Sequence, residues 1–238
     1  MALTKPEEKK YLSEILQIKK DILKMIYKAQ SGHPGGSLSS AAVIYLLYNR
    51  IMRIDRKNPQ WEDRDMFILS KGHAAPALYA VLSRIGYIEK TELMNLRKFG
   101  SPLQGHPVKN PSLGIEVSTG ALGIGLSVGI GCALSAKLKN EREKKIYVLL
   151  GDGELNEGTI WEAAMAAAHY KLDNLVAIVD RNAIQIDGST EEIMALEPLV
   201  GKWKAFGWEV IEVDGSNLNE LLMGFQKTKM VIKKPTVI

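Results

Sequence analysis

Two short apolar runs, each closed by polar residues, stand out in the second half of the chain. Residues 147–150 lead into Gly151-Asp152-Gly153, and residues 175–179 lead into Asp180-Arg181-Asn182. Continuous apolar runs of this length are typical of strands buried on both faces, as in a parallel sheet. Between them, residues 161–170 are rich in alanine and contain no glycine or proline, which predicts a crossover helix. The pattern therefore predicts a βαβ unit.

The rest of the chain alternates helical and strand patterns. Further helices are predicted up to about Ala29 and over residues 39–52, 75–85, 122–138, 199–206 and 218–229, and further strands over 66–70, 209–213 and 235–238. This alternation predicts an α/β fold with a parallel sheet flanked by helices. The length suits one large domain over residues 1–238. The irregular, Gly/Pro-rich stretch 99–120 favours a binding loop over a linker.

The polar residues that follow the two central strands form a candidate metal and phosphate site. A right-handed crossover brings both strand ends to one edge of the sheet, where ligands of open α/β sheets bind. Asp152 then offers a carboxylate, Asn182 an amide oxygen and the region of Ile184 a backbone carbonyl. These oxygens suit Mg²⁺ held together with a diphosphate. Either turn taken alone is more often an ordinary loop, so the prediction depends on the pair.

Charge and composition narrow the class of protein. The 238 residues carry a formal net charge of +4, but the 31 basic and 27 acidic residues are interspersed, which favours a solvated surface over a nucleic-acid site. The Lys-rich start has apolar residues at helical spacing and predicts an amphipathic helix rather than a basic arm. A single cysteine, Cys132, excludes an internal disulfide. The absence of a secretory segment or a membrane-length apolar run leads us to expect a cytoplasmic protein, without membrane contact.

Three of the four histidines, His33, His73 and His106, follow glycines in turns, and glycine lets a backbone approach a ligand closely. A lone histidine is more often structural than catalytic. His169 lies in the predicted crossover helix and is assigned a structural role.

Five blocks in the same order give the chain its resemblance to the transketolase family. They are residues 31–36, 71–74, 105–107, 117–125 and 151–188. The resemblance implies a fold that binds thiamine diphosphate with Mg²⁺. Complete transketolases add a pyrimidine-binding domain and a C-terminal domain, and no segment here resembles either. The chain looks like the N-terminal, diphosphate-binding subunit of a split transketolase.

The resemblance also implies roles for individual residues. Catalytic roles fall on His33, His73 and His106, which would hydrogen-bond sugar hydroxyls and move protons, as suits imidazole. Metal ligands would be Asp152, Asn182 and Ile184. Cofactor contacts would come from His73, Gly120, Ala121, Leu122, Gly151, Asp152, Gly153, Glu157, Asn182 and Ile184. Ala121 stands where the family has a proline, which loosens the loop but removes no side-chain chemistry. Glu157 matches a glutamate of a carboxylate network at the subunit interface.

The implied reaction transfers a two-carbon ketol group from a ketose phosphate to an aldose phosphate, as in the pentose phosphate pathway. The family supplies an activating glutamate from the pyrimidine-binding domain, so we expect an α₂β₂ assembly with a separate C-terminal subunit. Family members also continue past residue 238 with another active-site histidine and basic contacts to the phosphates. Alternatives remain: a 1-deoxyxylulose-5-phosphate synthase-like enzyme, a pyruvate dehydrogenase component, a split transketolase for an unusual sugar, or a non-catalytic paralogue that binds a metabolite.

Overall fold

The strands of the protein are short. In the computed structural model, which describes residues 2–141, 143–185 and 188–238, they are β1 (Met66–Leu69), β2 (Ile146–Gly151), β3 (Leu175–Asp180), β4 (Ile184–Gln185), β5 (Gly188–Ser189), β6 (Glu209–Val210) and β7 (Thr236–Val237). The main sheet is parallel throughout, in the order β1-β2-β3-β7-β6, while β4 and β5 form a separate antiparallel pair. The predicted parallel sheet is confirmed. The predicted strand over 209–213 is shorter than expected.

Eight α-helices occur among the described residues. They are α1 (Lys5–Ala29), α2 (Pro34–Leu46), α3 (Ala75–Ile85), α4 (Ile124–Leu138), α5 (Gly158–His169), α6 (Thr190–Met194), α7 (Leu199–Ala205) and α8 (Leu218–Thr228). The helix predicted over 39–52 begins earlier, at Pro34, because proline is favoured in the first turn of a helix. Its last part, Leu47–Ile51, is a π-helical turn.

The chain divides into two compact units. The first contains the segment up to Arg64 together with Gly72–Gly120 and Asp214–Met223. Helix α1 begins at a capping box in which the Thr4 and Glu7 side chains each accept from the other residue's backbone N–H. Its apolar face, which includes Ile15, Ile18, Ile22 and Met25, is buried, so the predicted amphipathic helix is confirmed.

The second unit contains Asp65–Lys71, Ala121–Val213 and Gly224–Ile238, and with them the whole main sheet. Helix α4 packs on one face of this sheet through Gly129, where an added Cβ would lie 2.6 Å from Val148 Cγ2. On the other face, the Tyr147 and Phe225 rings meet edge to face with centroids 6.2 Å apart. Both faces of the central strands are thus covered, which explains their continuous apolar runs. Over the described ranges, every helix is too short or too polar to cross a bilayer.

Candidate functional site

Strands β2 and β3 end side by side, with Gly151 opposite Asp180 in the register. Asp152 follows β2 and is only 3% exposed. Its Oδ1 accepts from the N–H of Gly153 at 2.9 Å, and its Oδ2 accepts from the N–H of Ala183 at 2.8 Å. Arg181 adds an ion pair at 3.4 Å to the same oxygen. The carboxylate after β2 therefore holds the turn that follows β3.

That turn carries the two other oxygens that the sequence predicts as metal ligands, the amide oxygen of Asn182 and the backbone carbonyl of Ile184. Asn182 is exposed, and its Oδ1 accepts from the N–H of Ile184 at 3.0 Å. Ala183 between them has a left-handed φ of 61°. Ile184 begins β4 and is 66% exposed, so this residue lies at the surface rather than in the core. Ile186 and Asp187, which belong to the same motif block (residues 151–188), lie outside the described residues.

The donor set beside Asp152 fits a magnesium ion better than zinc. The predicted ligands are one carboxylate, the Asn182 amide oxygen and the Ile184 carbonyl, and such hard oxygens are the ligands that Mg²⁺ prefers. Over the described part of the chain, no three His, Cys, Asp or Glu side chains form a cluster suited to a metal.

Glu154 is a residue of this region that the pattern did not single out for a role. It is 3% exposed, and its carboxylate accepts three hydrogen bonds: from Ser70 Oγ at 2.5 Å, from Gly123 N–H at 2.8 Å and from Gly151 N–H at 3.0 Å. Burial raises its pKa, while these donors and the Lys71 charge act in the opposite direction. Glu154 thus joins the ends of β1 and β2 to the start of α4.

Lys71 is a second residue of this region to which the sequence analysis assigned no role. It is 1% exposed, and its Nζ donates to Asp180 Oδ2 at 2.6 Å. A lysine is rarely buried unless it is paired. This pair links the end of β1 to the end of β3. It also places the positive charge of Lys71 beside the carboxyl ends of these strands. No local signal could reveal it, because its partners lie far apart in sequence.

The loop before α4 approaches α5 very closely. Gly123 has a φ of 85°, and a Cβ there would lie 2.3 Å from Thr159 Oγ1 and 2.8 Å from Glu157 Cβ. Only glycine fits such a position. Ala121 and Leu122 just before it are exposed, as is Glu157, which precedes the first turn of α5. Exposure leaves these three side chains accessible to a ligand or a partner.

The three candidate histidines come together within the first unit. The rings of His33 and His73 meet at a centroid distance of 5.3 Å. A Cβ built on Gly120 would lie 3.4 Å from the ring of His106. Partial desolvation lowers the pKa of His33, and the charges of Arg97 and His106 lower it further. The lowered pKa favours the neutral imidazole of His33, which can both donate and accept hydrogen bonds.

The structural role assigned to His169 stays a prediction. It is exposed at the end of α5, where its ring contacts Tyr170 at 5.0 Å.

Similarity to known proteins covers nearly the whole chain. The family model described as transketolase, thiamine diphosphate binding domain, matches residues 10–238. One of the subunits of the apulose-4-phosphate transketolase of Phocaeicola vulgatus is 48% identical over 221 residues, which are 92% of this chain and 78% of that protein. The SqwG subunit of the 6-deoxy-6-sulfo-D-fructose transketolase of a Clostridium species is 45% identical, over 93% of this chain and 80% of that protein.

Solved structures agree with these sequence matches. The transketolase from Leishmania mexicana superposes with a TM-score of 0.88 at 31% identity, over 96% of this chain but only 36% of that one. The chain therefore spans about a third of a full-length enzyme of this type, and most of the length of the separate subunits.

Proposed function

Because the chain belongs to the transketolase family through its thiamine diphosphate-binding domain, we propose that it anchors the diphosphate and Mg²⁺ in a split transketolase. The observation that carries this proposal is the contact between Asp152 and the turn containing Asn182, made at the carboxyl ends of adjacent parallel strands. The family membership establishes a transketolase-type transferase subunit. The metal, the site residues and the treatment of residues 1–238 as one domain are our proposals.

In the proposed site, Asp152, Asn182 and the Ile184 carbonyl hold the magnesium ion. Gly151 and Gly153 keep the backbone close enough for a diphosphate. Gly120, Ala121, Leu122 and Glu157 provide the remaining cofactor contacts, with His73. When bound, thiamine diphosphate supplies the carbon–carbon bond cleavage and formation of ketol transfer.

The proposed role of His33, His73 and His106 is to bind sugar hydroxyls and to move their protons. The lowered pKa of His33 supports this role, because a neutral imidazole can accept a hydroxyl proton near neutral pH. The exposed positions of His33 and His106 leave their rings accessible to a substrate.

We also propose that activity needs a separate C-terminal subunit, which carries the pyrimidine-binding domain and the activating glutamate, in an α₂β₂ assembly in the cytoplasm. The word subunit in the names of the relatives supports a partner chain. Those names also favour a second candidate for the substrate. Because the relatives are named for apulose 4-phosphate and a sulfofructose, an unusual sugar is a specific alternative to the pentose phosphates.

The cofactor proposal is tested by calorimetry of the chain, in complex with its C-terminal subunit, titrated with thiamine diphosphate. We expect uptake that requires Mg²⁺ and is lost in Asp152→Asn. Asp173→Asn, a partly exposed aspartate of the same unit, is the matched control and should bind normally. Uptake that is independent of Mg²⁺, or equal in both variants, would contradict the proposed site.

The partner and substrate proposals are tested by turnover. The chain alone, with cofactor and Mg²⁺, should be inactive on xylulose 5-phosphate and ribose 5-phosphate, and turnover by the chain alone would refute the need for a partner. The reconstituted complex is then offered pentose phosphates, apulose 4-phosphate, the sulfofructose and pyruvate. Ketose consumption supports a transketolase, whereas consumption of pyruvate alone would point to a different thiamine enzyme.

A further inference from the structure

Arg97 contacts both loops that carry exposed candidate histidines. Its Nη1 donates to Ser31 Oγ at 2.7 Å, two residues before His33. Its guanidinium also lies directly against Gly105, where an added Cβ would come within 3.0 Å of Cζ and Nε. Gly105 immediately precedes His106. A single side chain therefore spans the gap between the two loops.

The backbone holds Arg97 in this position at a conformational cost. Its φ is 60°, a left-handed value that is unfavourable for a residue with a side chain. Its N–H donates to Leu103 O at 2.8 Å, which fixes it to the loop that leads to His106. From the core, the Tyr79 hydroxyl donates to Gln104 O at 2.9 Å. The loop is thus held from two sides.

The charge of Arg97 is only partly satisfied by these contacts. Its Nε is buried and has no hydrogen-bond partner among the described residues, and the acceptor at Nη1 is a neutral hydroxyl. The charged or titratable groups that face His33 are Arg97, His106 and the neighbouring ring of His73. All three are basic, so a proton on His33 meets no compensating carboxylate in this set.

We propose that Arg97 is a positioning residue that ties the Ser31–His33 loop to the Gly105–His106 loop and places a fixed positive charge beside His33. This proposal rests on the proposed role of the histidines in sugar binding. Fixing the two loops would set the distance between two hydrogen-bonding groups for the substrate. The charge would keep His33 in the neutral form that such a role requires.

The test is NMR titration of the histidine rings in the full chain, with Arg97→Gln, Arg97→Lys and the control Lys98→Gln. Lys98 is an exposed neighbouring cation whose Nζ donates to the nearby Asn95 Oδ1. In Arg97→Gln we expect the pKa of His33 to rise and the amide signals of Ser31 and Gly105 to shift. Arg97→Lys should keep the pKa of His33 low, because lysine retains the positive charge. It should still shift the two amide signals, because lysine lacks the planar guanidinium that contacts both loops. Lys98→Gln should leave both unchanged.

An unchanged His33 titration in folded Arg97→Gln, or an equal change in Lys98→Gln, would overturn the proposal. If Arg97→Gln does not fold, Ser31→Ala replaces it, since this variant removes only the exposed hydroxyl acceptor. Ser31→Ala should shift the amide NMR signal of Gly105. A Gly105 signal identical to that of the wild type would then reject the link between the two loops. The measurement needs neither cofactor nor partner, so its outcome is independent of the calorimetric test of the proposed function.

Discussion

Glu154 accepts a hydrogen bond from the Ser70 hydroxyl at 2.5 Å, which joins the turn after β2 to the end of β1. The same carboxylate also accepts from two backbone N–H groups. We expect Glu154→Gln to lower the free energy of unfolding by about 1–3 kcal/mol, because the amide NH₂ would face a donor and leave it unsatisfied. Urea unfolding measures this. Glu157→Gln, at an exposed position three residues later, should change stability little, and equal losses in both variants would contradict the role of Glu154.

The pH dependence of that loss follows from the raised pKa of Glu154. Burial raises the pKa above the ordinary value of 4.5, so the native state holds this proton more tightly than the unfolded state. Stability from this group is then fully present below pH 4.5 and decreases as the pH rises through the native pKa. The stability gap between wild type and Glu154→Gln should therefore narrow as the pH rises through that window. A gap that widens would show that the pKa is lowered instead.

The buried pair of Lys71 and Asp180 gives the next prediction. Lys71→Met should destabilise the protein by about 3–5 kcal/mol, because it leaves the largely buried Asp180 carboxylate without this partner. Adding Asp180→Asn should recover part of the loss. The control is Lys137→Met, which breaks a more exposed pair with Asp173 and should cost less than about 1 kcal/mol. Chemical unfolding that gives similar values for both lysines would refute a structural role for Lys71.

Two glycines at and within α4 offer a matched pair for a further prediction. Gly123→Ala should destabilise by more than about 2 kcal/mol, because it combines a left-handed φ with a clash against Thr159. Gly131→Ala should stabilise by about 0.5–1 kcal/mol, since an added Cβ there meets no atom within 4 Å and alanine favours a helix. Thermal unfolding of the two variants compares them directly, and a shift of the same sign in both would be inconsistent with the close packing of Gly123.

Connectivity made the central sheet predictable from the sequence. Continuous apolar runs identified β2 and β3. The crossover between them required their ends to meet, so the sequence predicts that Asp152 lies close to the turn that contains Asn182. The antiparallel pair of β4 and β5 was not predicted, because two-residue strands carry no periodicity. Helix α6 was not predicted either, because its five residues are too few to show a helical periodicity.

The buried polar residues of the site were harder to predict. Glu154 lies in a glycine-rich turn, where a carboxylate is ordinarily solvated, and only its distant donors reveal it as a buried acceptor. Lys71 has its partner on another strand, and the link of Arg97 to the histidine loops depends on contacts at Ser31 and Gly105. Pairings between residues remote in sequence leave no local pattern.

Strand β7 occupies an inner position of the sheet although it follows the other strands of that sheet in sequence. Until Thr236 and Val237 leave the ribosome, β3 and β6 each present an unpaired edge, and open edges of this kind invite pairing with other chains. During synthesis, the strands that precede β7 therefore leave the ribosome with two unpaired edges that could pair with other chains. The two residues of β7 then pair with both edges when they insert between β3 and β6.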